Sequence, residues 1–351
     1  PAPAPAPTTA PVPAHTPAAA APDAPEVVAG EAPERGKGKG KARQRQQGGS
    51  DSPLERTDWV TNPTSNAKLA AFAVSPVGEG PFPAIVIVPG GTKEGSRALR
   101  PPEWAAFVAA GFAVVTFDPD GRGESDGEEG RNGFAQQDGL SAIIDWAAAR
   151  PEINGEQIGV LSLSYGVTMA MGALTRHETP AKFLIDWEGP ANRSFTAGCG
   201  GRELRGGGGG VTEGISCEDE AFWSEREASS MVGALTVPYL RVQFTEDHAQ
   251  PDAQSSLAMI HAARAGSVPW SSVNDEAPDK AIDALDDFAT HPDPRKRTDI
   301  LVRYAAAMME QTTGAAVIPG EVPESLQIEG RGGGDGGSKG KGKGKGKRKQ
   351  R

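Results

Sequence analysis

The sequence predicts an α/β fold, a mainly parallel sheet with helices on both faces, carried by residues 53–318 between two low-complexity ends. Short β-branched runs alternate with helix-length amphipathic stretches, the pattern of right-handed βαβ crossovers. Three of the runs, AIVIV, FAVVTF and IGVLSL, are almost continuously apolar, as strands covered on both faces are. Outside this region the chain has almost nothing large to bury.

Residues 1–52 open on alternating Pro and Ala and end in RGKGKGKARQRQQGGSDSP, while the stretch after 318 passes into RGGGDGGSKGKGKGKGKRKQR. Such composition cannot offset the entropy of ordering, so both 1–52 and 319–351 are expected to be disordered. Charge divides along the same lines. The formal total is −10; residues 1–50 hold six Lys/Arg against four Asp/Glu and residues 331–351 nine against one, which leaves −20 for residues 51–330. An acidic domain with basic tails argues against a nucleic-acid groove on the domain itself and assigns any polyanion contact to the C-terminal tail. No apolar run reaches the 18 or so residues of a membrane span. The Pro/Ala-rich start, at Pro1 rather than Met, is expected of an exported protein after signal cleavage.

Within the core the strands are expected at 68–74, 84–88, 113–118, 157–163, 183–187, 238–244 and 268–273. Helices are expected at 102–110, 134–150, 165–175, 254–265 and 298–311. Residues 189–234 break the rhythm with the glycine run 206–210 and the segment CEDEAFWSEREASSM, and are read as a small cap insertion of one glycine-rich loop and one helix. Cys199 and Cys217 flank that loop. In an oxidising compartment they would close it as a disulfide; otherwise they are two thiols.

The chemistry-bearing segment is QIGVLSLSYGVTMAMGAL, a strand, a tight turn and a helix with Ser-x-Ser-x-Gly at the turn. It resembles the nucleophile elbow of the α/β-hydrolase superfamily, with Ser164 as nucleophile and Ser162 where Gly is usual. The strand PFPAIVIV runs into Pro89-Gly90-Gly91, similar to the superfamily's oxyanion-hole loop with Pro in place of His. That likeness implies one backbone donor from Gly91 or Thr92 and a second from Tyr165. The turn Asp120-Gly121-Arg122-Gly123-Glu124-Ser125 is similar to one that orders the loop beneath such sites. VPYLRVQFTEDHAQP resembles the segment that carries the acid, with Asp247 in register and Glu246 as competitor. For the base, the chain order Ser, Asp, His selects His291 among five histidines, with His248 as the alternative. QQDGLSAIIDWAAARPEINGEQ, before the elbow, is similar to the dienelactone-hydrolase, prolyl-oligopeptidase and X-Pro dipeptidyl-peptidase branches. The resemblance spans residues 67–311.

It implies an α/β-hydrolase fold and a serine hydrolase with the triad Ser164, Asp247 and His291, working without metal or organic cofactor on a small ester. A serine peptidase acting on short peptides, and a non-catalytic binding protein that keeps the fold, are the alternatives. Phe222 and Arg226, four apart on one helical face, together with Trp223, are expected to line the acyl pocket or to pack the cap.

Overall fold

A computed structural model describes residues 56–93, 95–96, 99–205 and 210–327. The segments expected to be disordered therefore lie outside the described residues, except for 319–327. Eight strands form one sheet: β1 (Asp58–Thr61), β2 (Lys68–Val74), β3 (Phe82–Val88), β4 (Ala113–Phe117), β5 (Ile153–Leu163), β6 (Ala181–Trp187), β7 (Tyr239–Val242) and β8 (Ser271–Val273). Their order is β1-β2-β4-β3-β5-β6-β7-β8, antiparallel where β1 meets β2 and β2 meets β4, parallel from there on. Every expected strand is present, with ends moved by a few residues.

Alternation along the central strands explains why they read as continuously apolar. Ala84, Val86 and Val88 of β3 join one buried cluster, whereas Ile85 and Ile87 join the other. The first cluster packs under α2 (Phe134–Ala148), α3 (Gly166–Arg176) and α7 (Gln254–Arg264) through residues such as Leu140, Ile144, Met169 and Ile260. The second lies beneath α1 (Pro101–Ala109) and α8 (Arg297–Thr313) through Trp104, Phe107, Leu301 and Met308. At about 25 cal/mol per Å² of apolar surface removed from water, these two layers are the main source of stability.

Two boundaries move. β1 precedes the first expected strand, and only Val60 of its four residues is buried. The domain also continues past 318: the Gly320 amide donates to the Ala109 carbonyl, Val77 pairs with Glu321, and Leu326 is buried among the α1 and α8 side chains. Leu326, with Val322 beside it and two backbone hydrogen bonds, holds a segment whose composition reads as tail.

Among its described residues the insertion between β6 and β7 holds three short α-helices, α4 (Arg193–Ala197), α5 (Glu220–Ser224) and α6 (Ala228–Met231), where one helix was expected. Cys199 and Cys217 form a disulfide across it. Its arginines bind it together: Arg193 pairs with Glu220 and Glu227, and Arg202 with Asp252. Among the described residues no helix is long and apolar enough to cross a membrane.

Candidate active site

The turn after β5 is built for close approach. Ser164 adopts φ +51°, a conformation L-residues rarely hold, and its amide donates to the Trp187 carbonyl at 2.8 Å. A Cβ on Gly166 would stand 2.6 Å from the Pro89 carbonyl oxygen, and one on Gly90 would stand 2.7 Å from that of Leu163. The glycines at both positions are thus what lets the β3 loop sit against the elbow. Ser162, fully buried, fits without displacing the turn.

Ser164 Oγ lies 2.7 Å from Nε2 of His248. The opposite ring nitrogen, Nδ1, is 2.8 Å from a carboxylate oxygen of Glu188. Glu188 follows the last residue of β6, is buried, and has φ +48°. Its carboxylate also accepts from the amides of Phe244 at 3.0 Å and His248 at 3.1 Å, so backbone from the turn after β7 holds it in place. The imidazole is stacked on Trp187, ring centroids 4.6 Å apart, and the Arg297 guanidinium lies over the same indole. Arg297 is paired with Glu103.

The expected base and acid lie elsewhere in the structure. His291 is not on Ser164: its backbone bridges Gln243 and Thr245, and its Nε2 is 2.9 Å from the Tyr304 hydroxyl. It sits at the side of β7, where burial holds its imidazole below the usual histidine range. Asp247 is near the imidazole but 3.6 Å from Nδ1, and its oxygens are taken by the amides of Ala249 and Gln250 and by the Gln243 side chain. It caps the turn that presents His248. Glu246 is exposed.

A buried polar network lies beneath. Arg241, without solvent exposure, pairs with Asp186 at 2.6 Å and donates to Ser256 and Gln243; Gln243 in turn donates to Asp247. Arg241 and Asp186 match each other's charge, and Asp247 is held by three hydrogen bonds, as burial at this depth requires. Arg122 pairs with Glu129 and donates to Asn132, whose amide reaches the Tyr165 carbonyl at 2.7 Å. Arg122 of this turn is thus linked through Asn132 to the elbow.

The backbone amides of Gly91, Thr92 and Tyr165 have no acceptor among the described residues. Gly91 lines a cavity of about 270 Å³ with Ser164, Trp187, His248 and Arg297; Thr92 does not. Tyr165 lines a second pocket of about 260 Å³ on the other side of Ser164, under the insertion, walled by Pro190, Phe195, Leu204, Val211 and Ala249. Phe222, Trp223 and Arg226 are not part of it. Trp223 is fully buried and its indole N–H donates to the Ser216 carbonyl, while Arg226 donates to the carbonyls of Gly130, Arg131 and Phe222. Arg226 ties the insertion to the 130–131 turn, while Phe222 and Trp223 pack within the insertion. Glu188, Asp247 and His248 have ligand atoms within 4.8 Å of one another, the reach of a metal site. Glu188 accepts from two amides and faces the imidazole, and Asp247 accepts from two amides and the Gln243 side chain, a hydrogen-bonded arrangement around His248.

Fold and elbow together define a class: the chain has the α/β-hydrolase fold. The model of the X-Pro dipeptidyl-peptidase (S15) family matches residues 65–195, less than half of the chain. The Pyrococcus furiosus esterase is 15% identical, with a TM-score of 0.53 over 76% of this chain and 96% of that one. Est1E from Butyrivibrio proteoclasticus, solved with ferulic acid, is 17% identical with a TM-score of 0.51 over 74% of this chain and 100% of that one. Porphyromonas gingivalis dipeptidyl peptidase 4 is 14% identical, with a TM-score of 0.52 over 72% of this chain and 35% of that one. An uncharacterized 31.7 kDa protein of the traX-finO intergenic region in Escherichia coli is 45% identical over 62 residues, 17% of this chain and 22% of that protein.

Proposed function

We propose that the chain is a serine hydrolase that cleaves a carboxylic ester through an acyl-enzyme on Ser164, with His248 as base and Glu188 as its acid. The observation that carries this reading is the relay from Ser164 Oγ to His248 at 2.7 Å and on to Glu188 at 2.8 Å. Both distances suit direct proton transfer and tautomer control.

His248 removes the Ser164 proton as the oxygen attacks the acyl carbon. The oxyanion that forms is held by the free amides of Tyr165 and Gly91, which need no reorganisation to meet it. Collapse expels the alcohol, which takes its proton from His248, and water repeats the sequence on the acyl-enzyme. Glu188 keeps Nδ1 protonated and stabilises the imidazolium.

An ester is favoured over a peptide by the pocket. Its walls combine Pro190, Phe195, Leu204 and Val211 with Thr196 and Gln250, and Glu188, the one carboxylate among its described lining residues, is committed to His248 and the Phe244 amide. None is left to meet the ammonium end of a short peptide. The S15 family match supports a dipeptidyl-peptidase as the second reading. A fluorophosphonate probe followed by peptide mass spectrometry tests for an activated serine, and is expected to label Ser164 in the wild type but not in His248→Ala. Turnover of p-nitrophenyl esters with none of X-Pro-p-nitroanilides then separates the two substrate classes.

A further inference from the structure

The insertion between β6 and β7 carries four arginines. Three are occupied: Arg193 by Glu220 and Glu227, Arg202 by Asp252 and Gln254, and Arg226 by Glu225 and three carbonyls. The fourth, Arg205, lines the pocket beside Ser164, and its guanidinium has neither ion pair nor hydrogen bond among the described residues. Its backbone is fixed, however. The Arg205 amide donates to the Ala249 carbonyl at 3.0 Å, one residue beyond His248, and the Cys199–Cys217 disulfide spans the segment that contains it.

The two cavities flanking Ser164 differ in which part of an ester they can take. The departing alcohol must reach His248 to be protonated, and His248 lines the Gly91 and Trp187 cavity but not the one under the insertion. The acyl chain is therefore left to the pocket of Phe195, Leu204, Val211 and Arg205. That pocket offers apolar walls and an unmatched cation. The surrounding domain is strongly acidic, and Arg205, exposed at the pocket's edge, is the cation among the pocket's described lining residues. A planar guanidinium suits a carboxylate, which it can bind through two parallel hydrogen bonds.

From this, and resting on the hydrolase reading above, we propose that the substrate's acyl chain ends in a carboxylate, making the enzyme one for monoesters of dicarboxylic acids, with Arg205 as the anion-recognising residue. The test uses the full chain and p-nitrophenyl monoesters of adipic and suberic acid, each against the neutral p-nitrophenyl ester of equal carbon number, hexanoate and octanoate. Both diacids are long enough for their own carboxylate to attack the ester only slowly. At least one diacid ester is expected to show kcat/KM about tenfold or more above its neutral counterpart, the scale of one charge-assisted hydrogen bond. In Arg205→Gln that ratio falls toward one through loss of the diacid rate, Arg205→Lys retains part of it, and added salt erodes it in the wild type. Equal rates on charged and neutral esters, or a ratio unchanged by Arg205→Gln, overturn the inference while leaving a working hydrolase. Failure of both ester types, with Ser164 unlabelled by fluorophosphonate, would instead overturn the reading on which it rests.

Discussion

Glu188 and Asp247 approach the same imidazole, but their other bonds separate their roles. Glu188 faces Nδ1 at 2.8 Å, whereas Asp247 accepts from two successive amides and stands 3.6 Å away. Glu188→Gln removes the acceptor that sets the tautomer and is expected to lower kcat by about 10³-fold or more. In Asp247→Asn the amide oxygen still accepts from Ala249 and Gln250, so kcat should stay within about tenfold; steady-state kinetics on one ester compare the two. Adjacent in sequence, Asp247 and His248 look like one feature, and chain order then sends the search for a base downstream to His291. Their side chains in fact diverge, and the carboxylate that meets Nδ1 comes from the end of β6. The signal available was a carboxylate directly at the C-terminal end of a buried strand, Glu188 after Trp187, which falls between the expected strand 183–187 and the insertion 189–234. His291 carries a different expectation. Burial lowers its folded-state pKa, so the unfolded chain binds its proton more readily. Its contribution to stability is present above about pH 6.5 and is lost as pH falls through the folded value. Thermal melts from pH 7.5 to 5 should show that loss reduced in His291→Gln relative to the wild type.

At the scale of elements, the central strands were legible because burial on both faces leaves continuous apolar runs, and the elbow because a strand, small turn residues and an Ala/Met/Gly helix succeed one another within QIGVLSLSYGVTMAMGAL. Features held by tertiary contact were not legible. β1 hides because Val60 alone is buried, and the segment around Leu326 because its neighbours are polar and small. In the insertion, local composition gave one helix, while the three found are secured by the disulfide and by arginine pairs that no local pattern announces. The disulfide closes a separation of 18 residues. The chain-entropy account gives about 3 kcal/mol for a loop of that size. Cys199→Ser with Cys217→Ser is therefore expected to lower Tm by several degrees, and to raise KM more than it lowers kcat because Leu204, Arg205 and Val211 of the pocket wall lie within the loop. Calorimetry with ester kinetics on the same variant reads both effects.

Across the whole molecule, a charge of −20 over residues 51–330 is set against the Lys/Gly-rich stretch at 331–351, which lies outside the described residues. If that stretch binds a polyanion such as heparin or an anionic vesicle, counterion release requires affinity to fall steeply between 50 and 200 mM salt, on the order of tenfold or more. Truncation after Gly330 should abolish the binding and leave ester hydrolysis unchanged; salt-insensitive binding would contradict the assignment. The sheet itself brings the candidate site together, since β5, β6 and β7 are neighbours and their C-terminal ends deliver Ser164, Glu188 and His248 to one place. That convergence is the central claim. It is tested most directly by kcat on a p-nitrophenyl ester for Ser164→Ala, His248→Ala and His291→Ala. The account predicts losses of several orders of magnitude in the first two and a change within about tenfold in the third. Near-normal turnover in His248→Ala, with His291→Ala inactive, would contradict it.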